Sequence, residues 1–224
     1  MQAHLTHFIF PGTAQRIVRV DFAASTYQPS DLLWLPHASR FANAVNKRCA
    51  EHLAGRIAAS EALRSHGMND YIPGIGLHRA PCWPPGFTGS ISHTDKIALA
   101  TVIPDSPGEH CGIGVDIAII INAYDAQNIA DGIVNAAERE LLDICGLPFA
   151  FALTLAFSAK ESLFKALYRH VGYYFDFSAA EITAINAQTL ELKLTSRLGP
   201  FEKEQCFIAR WNSDGEQLTT LIQR

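Results

Sequence analysis

A carboxylate stands inside what otherwise reads as a buried strand. Gly114-Val115-Asp116-Ile117 is apolar and β-branched except for Asp116. Such a group is costly to bury unless something pairs with it. About forty residues on, Phe157-Ser158-Ala159-Lys160-Glu161-Ser162-Leu163-Phe164-Lys165 reads as a helix. Glu161 and Lys165 stand at i, i+4 and share a face. Lys160, Glu161 and Lys165 with Asp116 make two carboxylates and two ammonium groups, a kit suited to a divalent cation and a phosphate. The plainer reading is a strand-end Asp116 turned to solvent, and an exposed Glu161 paired with Lys165 for a few tenths of a kcal/mol.

The 224 residues are 48% hydrophobic and 18% charged, which predicts a buried core and excludes a disordered chain. A net charge of -4 argues against wholesale nucleic-acid binding. Within 40–66, however, Arg40, Lys47, Arg48, Arg56 and Arg64 face only Glu51 and Glu61. A local positive excess suits a small anionic ligand or an acidic partner protein, though single charges are usually solvated. Five widely spaced cysteines without a C-x-x-C pair predict reduced thiols, mostly core fillers, in the cytoplasm. The N-terminus has no basic or apolar leader pattern, and no apolar stretch is long enough for a transmembrane segment.

Periodicity predicts a strand over 16–22, a short helix over 31–35 and a long helix over 46–66 with Asn46 as its cap. Residues 67–89, rich in Gly and Pro, read as irregular chain. Strands follow around 90–92 and 97–103, then the strand of Asp116. Asn135 caps a predicted helix through Cys145, and a longer helix covers about 148–170. The tail is β: alternation over 181–194, then strands at 205–211 and 217–222 around the turn Asn212-Ser213-Asp214-Gly215. Each half carries strands and one dominant helix. The expectation is an α+β fold of two similar α/β halves, 1–108 and 109–224, related by duplication.

Arg48, His52 and Arg56 lie at i, i+4, i+8 on one helix face. Two guanidiniums there fit a phosphate, but spacing alone favours a solvated stripe. Ser92-His93 sits at a turn and could clamp a phosphate, although a plain surface His is the simpler reading.

Taken in order, these features resemble a family. Asp31-Leu-Leu-Trp-Leu-Pro-His37, Glu51-His-Leu-Ala-Gly-Arg-Ile-Ala-Ala59, Gly89-Ser-Ile-Ser-His93, Gly112-Ile-Gly-Val-Asp-Ile117 and Leu153-Thr-Leu-Ala-Phe-Ser-Ala-Lys-Glu-Ser162 are similar to the 4′-phosphopantetheinyl transferases of the larger, single-chain, surfactin-synthetase-activating type, in particular the enterobactin synthase branch. The resemblance spans roughly 30–170. It implies the pseudo-twofold fold of that family, with the ligand between the halves. It implies transfer of 4′-phosphopantetheine from coenzyme A to a serine of an apo acyl, aryl or peptidyl carrier protein, releasing 3′,5′-ADP, in siderophore synthesis by a cytoplasmic monomer. Peripheral membrane association in a synthase complex is compatible with this.

By the same resemblance Asp116 and Glu161 are magnesium ligands. Glu161 is also the base, and Lys160 and Lys165 lie near the pyrophosphate. Arg48, Arg56, Ser92 and His93 hold coenzyme A, with Arg56 and His93 at its 3′-phosphate. One departure stands out. Many members carry a third metal-binding Glu two residues after the motif Asp, where this chain has Ala118. A coenzyme A- or carrier-binding homologue with impaired turnover is therefore an alternative. A magnesium-dependent phosphohydrolase is a more distant one.

Overall fold

The computed structural model describes residues 1–106 and 110–224. The chain divides into two compact units, Met1–Cys111 and Gly112–Arg224. The expected boundary between 108 and 109 lies outside the described residues. The strands in chain order are β1 (Ala3–Ile9), β2 (Arg16–Phe22), β3 (Gly74–Ile75), β4 (Pro81–Cys82), β5 (Phe87–His93), β6 (Ile97–Pro104), β7 (Ile113–Ile119), β8 (Ala180–Ile185), β9 (Thr189–Leu194), β10 (Cys206–Ser213) and β11 (Gln217–Gln223). The α-helices are α1 (Asn46–Arg64), α2 (Ala123–Ile129), α3 (Ala136–Ile144) and α4 (Phe149–Val171).

The first unit is an antiparallel sheet of order β1-β2-β6-β5 with α1 laid across β2, β5 and β6. Ile17, Val18 and Val20 of β2 and the apolar run of β6 supply the sheet's buried side chains. Helix α1 answers with Ala50, Leu53, Ala54, Ala58, Ala59 and Leu63. Asn46 is not the cap of α1. Val45, in extended conformation, holds that position without a side-chain bond, and Asn46 is the first helical residue. The short helix expected at 31–35 is a 3-10 turn over Pro29–Trp34, begun by the fixed φ of Pro29. Of the cysteines, Cys49 is buried but Cys82 and Cys206 are exposed, so core filling does not describe the set.

The second unit is an antiparallel sheet of order β7-β11-β10-β9-β8. Helix α4 packs mainly on β7 and β11. Helix α3 begins as expected at Asn135, whose side chain accepts the Glu138 amide while Glu138 accepts the Asn135 amide. The alternation over 181–194 is two strands, β8 and β9, not one.

Two glycines decide how α4 meets β7. A Cβ on Gly114 would lie 1.8 Å from the Ser162 carbonyl oxygen, and one on Gly112 would lie 2.2 Å from that of Ala166. Only glycine lets the helix backbone rest against the strand backbone. Farther along, the Ile121 amide donates to Thr154 Oγ1 at 3.1 Å. The helix therefore runs antiparallel to β7, and its face at 158, 161, 162 and 165 is drawn over Asp116. Both units combine antiparallel sheet with helix, an α+β fold. Among the described residues no helix is long and apolar enough to cross a membrane.

Candidate active site

Asp116 is 6% exposed, so the solvent-turned reading does not hold. Lys165 Nζ lies 2.7 Å from Asp116 Oδ1 and also donates to the Val115 carbonyl at 3.2 Å. Ser158 Oγ donates to Asp116 Oδ2 at 2.8 Å. A buried carboxylate with a cation and a hydroxyl is the paired state its burial demands. Glu161, one turn before Lys165, is half-buried. Burial pushes its carboxyl group up from the ordinary range. The Lys165 charge draws it back down, and the Asp116 charge pushes it up again. That mutual repulsion places the two carboxylates within electrostatic reach of each other.

Two hard oxygen donors fit magnesium, which commonly takes one or two carboxylates and completes its shell with water and phosphate oxygens. A divalent cation would also relieve the repulsion between Asp116 and Glu161. Ala118 lies two residues on along β7, half-buried against the core, and contributes no oxygen. Among the described residues no group of three His, Cys, Asp or Glu could hold a metal.

Lys160 needs a correction. Its ammonium is 2.7 Å from Glu138 Oε1 and donates to the Ile133 and Phe177 carbonyls at 2.9 and 3.1 Å. The residue is 4% exposed. Burial lowers its pKa and the Glu138 bond partly restores it. Three acceptors tie it to α3 and the approach to β8. These contacts hold its ammonium against Glu138 and the Ile133 and Phe177 carbonyls, whereas Lys165 pairs with Asp116.

The basic helix of the first unit is also not a solvated stripe. Arg48, His52 and Arg56 line a cavity of about 490 Å³, a size suited to a small ligand. Arg40 and Arg79 join them, so among the described residues four guanidiniums face one carboxylate, that of Glu51. Arg56 is 5% exposed. It donates to the Gly74 carbonyl at 3.0 Å, while its buried Nε has no partner among the described residues. Burial, then the nearby Arg48 charge, pulls its pKa down to about 10. A phosphate would supply both the missing acceptor and the missing counter-charge.

His93 is not a plain surface histidine. Its Nε2 accepts from Arg48 Nη1 at 3.0 Å, which puts the ring hydrogen on Nδ1, 3.3 Å from the Thr94 carbonyl. Ser92 is buried in β5 beside it and does not line the cavity. His52 contacts His37, Nε2 to Nε2, at 2.9 Å. Burial and the Arg56 charge push its pKa down to about 3, so it is neutral at working pH. Sequence reasoning missed Arg79, which lies in the Gly- and Pro-rich segment with a left-handed backbone (φ 67°). It missed Arg40 as a cavity residue too. Neither sits in a periodic pattern.

Two family models match the chain. The 4′-phosphopantetheinyl transferase N-terminal domain covers 36–103, and the 4′-phosphopantetheinyl transferase superfamily covers 112–219. A protein named enterobactin synthase component D from Salmonella typhi is 42% identical over 217 residues, 97% of this chain and 89% of the relative. The chain belongs to the 4′-phosphopantetheinyl transferases. A protein from Shigella flexneri, also named enterobactin synthase component D, is 48% identical over 161 residues, 72% of this chain and 75% of the relative. The 4′-phosphopantetheinyl transferase Svp of Streptomyces mobaraensis is 33% identical over 171 residues, 72% of this chain and 65% of the relative. In this transferase the first matched region carries Arg48, Arg56 and His93, and the second carries Asp116, Glu161 and Lys165.

Proposed function

We propose that this transferase moves 4′-phosphopantetheine from coenzyme A to a serine of an apo carrier protein, in the assembly of an enterobactin-like siderophore. The single observation that carries the reading is the Asp116–Lys165 pair with Glu161 in electrostatic reach. The arginine-lined cavity supports it from the first unit. The names of the relatives favour the siderophore setting.

The reaction is phosphoryl transfer, so positioning and charge neutralisation dominate. The serine oxygen forms a bond to the phosphorus bearing the pantetheine arm. The bond from that phosphorus to the bridging oxygen breaks, and 3′,5′-ADP leaves. Glu161 takes the serine proton, directly or through water, and burial has already raised its basicity. Lys165 faces the charge that grows on the phosphate oxygens. Magnesium, when held by Asp116 and Glu161, supplies neutralisation of the pyrophosphate. Arg48, Arg56 and His93 hold the 3′-phosphate. The protein works on this reading as a cytoplasmic monomer. Nothing favours the turnover-deficient alternative, since Ala118 removes an oxygen that magnesium can replace with water.

The deciding assay is incubation with coenzyme A, magnesium and a panel of apo carrier proteins, read by intact-protein mass. Arg56→Ala then tests the phosphate assignment. A charge-assisted contact is worth about 1.5–3 kcal/mol, so KM for coenzyme A should rise by about ten- to 150-fold. Dephospho-coenzyme A, which lacks the 3′-phosphate, should be used almost as well as by the parent. The comparison cancels any structural cost of losing the Gly74 bond. Equal damage with both substrates would remove Arg56 from the ligand site.

Ala118 gives a second test. Its side chain lies on the Asp116 face of β7, so Ala118→Glu should lower the magnesium concentration needed for half-maximal rate. A raised requirement would show that position 118 cannot reach the cation.

A further inference from the structure

Three buried hydroxyls lie behind Asp116, and the reaction has no use for them. Ser158, Ser162 and Thr220 are each 0% exposed. Ser158 and Ser162 stand one turn apart on α4, and Thr220 is paired with Asp116 across β11 and β7. Ser158 Oγ is 2.9 Å from Thr220 Oγ1, which is 2.7 Å from Ser162 Oγ. The cheaper alternative for a helical hydroxyl is to bond the carbonyl four residues back. Thr154 does this, donating to Ala150 at 2.7 Å. Ser158 instead reaches across to the strand.

The bond at the carboxylate has a fixed donor. Asp116, ion-paired with Lys165, is a carboxylate and can only accept. Ser158 has one proton and gives it to Oδ2. Its oxygen can then only accept from Thr220, whose proton is shared with the Ser158 carbonyl at 2.9 Å. Ser162 Oγ reaches both Thr220 Oγ1 at 2.7 Å and the Thr220 carbonyl at 3.2 Å. The three hydroxyls thus form one buried network that ends on Asp116, and such networks strengthen their own bonds.

We propose that Ser162, Thr220 and Ser158 form a buried hydroxyl relay that pins Oδ2 of Asp116, presenting Oδ1 as the oxygen offered to a cation. Ser158 and Thr220 are thus positioning residues for the metal site. The inference rests on the metal reading given above. In the cation-free protein Lys165 holds Oδ1. A divalent ion would exchange with that ammonium while the relay keeps the carboxylate from rotating.

Mn²⁺ binding to the metal-free protein, followed by electron paramagnetic resonance, tests this. Outer-shell partners of a metal ligand typically matter by about 10–100-fold in affinity. Thr220→Val, which keeps the shape and loses the hydroxyl, should weaken Mn²⁺ binding by about tenfold. Thr220→Ser should restore it, and Ser158→Ala should repeat the loss. Coenzyme A binding without metal should not change. A crystal structure of metal-free Thr220→Val should show the Asp116 carboxylate rotated. Parental Mn²⁺ affinity in Thr220→Val and Ser158→Ala would overturn the relay and leave the hydroxyls as packing. Asp116→Asn separates the two levels of the claim. If it binds Mn²⁺ as the parent does, the metal reading fails. The orientation of Asp116 in Thr220→Val then decides the relay alone, and an unmoved carboxylate would sink it.

Discussion

Replacing Glu161 by Gln should cut the transfer rate by about 10²–10⁴-fold and make the metal-free protein more stable at neutral pH. Both effects have one source. Glu161 is buried enough that its carboxyl group titrates above the ordinary range, with Asp116 adding to the shift and Lys165 opposing it. A group whose folded pKa is raised stabilises the fold in its protonated form. That contribution is complete below the unfolded carboxylate pKa and is lost as pH rises through the raised value. Glutamine keeps the shape and never acquires the charge. Urea unfolding in chelator should therefore show parent and variant nearly equal in acid. The variant should pull ahead as pH rises through the raised value, with a constant lead above it. A pH-independent difference would mean that Glu161 carries no electrostatic cost, and its assignment as a tuned base would fall. On the proposed function, the stability sacrificed at this position is what a base beside another carboxylate requires.

Lys160→Met should destabilise the protein by about 3–5 kcal/mol, because Glu138 is left as a buried charge without its cation. Glu138 cannot simply leave: it also accepts the Asn135 and Ile182 amides, each at 2.8 Å. Glutamine at 138 would still accept an amide bond while carrying no charge. Lys160→Met with Glu138→Gln should therefore recover much of the loss, as read by denaturant midpoints. The kinetic expectation is separate. At low temperature, where the single variant is folded, its KM for coenzyme A should match the parent. A well-folded variant without turnover would return Lys160 to the chemistry and sink the anchor assignment.

The two lysines show what sequence can and cannot convey. Read as a motif, Lys160 and Lys165 flank Glu161 and look alike. On a helix of 3.6 residues per turn, five positions amount to about 140° of rotation, so they cannot share a target. Lys165 lies on the Glu161 face, over β7, and Lys160 points to α3. Helix α3 was legible because its Asn135–Glu138 box is local, and α4 because its apolar pattern runs for six turns or so. Strand β1 was not, since Ala3, Leu5, Phe8 and Ile9 are mixed with His4, Thr6 and His7 without a period of two, and most of the strand is exposed. Asp116 declared itself by being out of place in an apolar strand. Ser158 did not, because a serine in a helix is unremarkable until Thr220, 62 residues away, is seen beside it.

Gly112 and Gly114 bring α4 against β7 with main chain touching main chain. A seam of that kind has no rotamers. Most packed interfaces absorb a neighbouring substitution by letting a side chain swing or a methyl group shift, and the elements drift apart by fractions of an ångström. At Gly112 and Gly114 no side chain separates the strand that carries Asp116 from the helix that carries Glu161 and Lys165. Drift in the remaining core of the second unit can accumulate over generations without changing the spacing at the seam. Any attempt to widen that spacing by design would have to begin with the glycines, not with the acids.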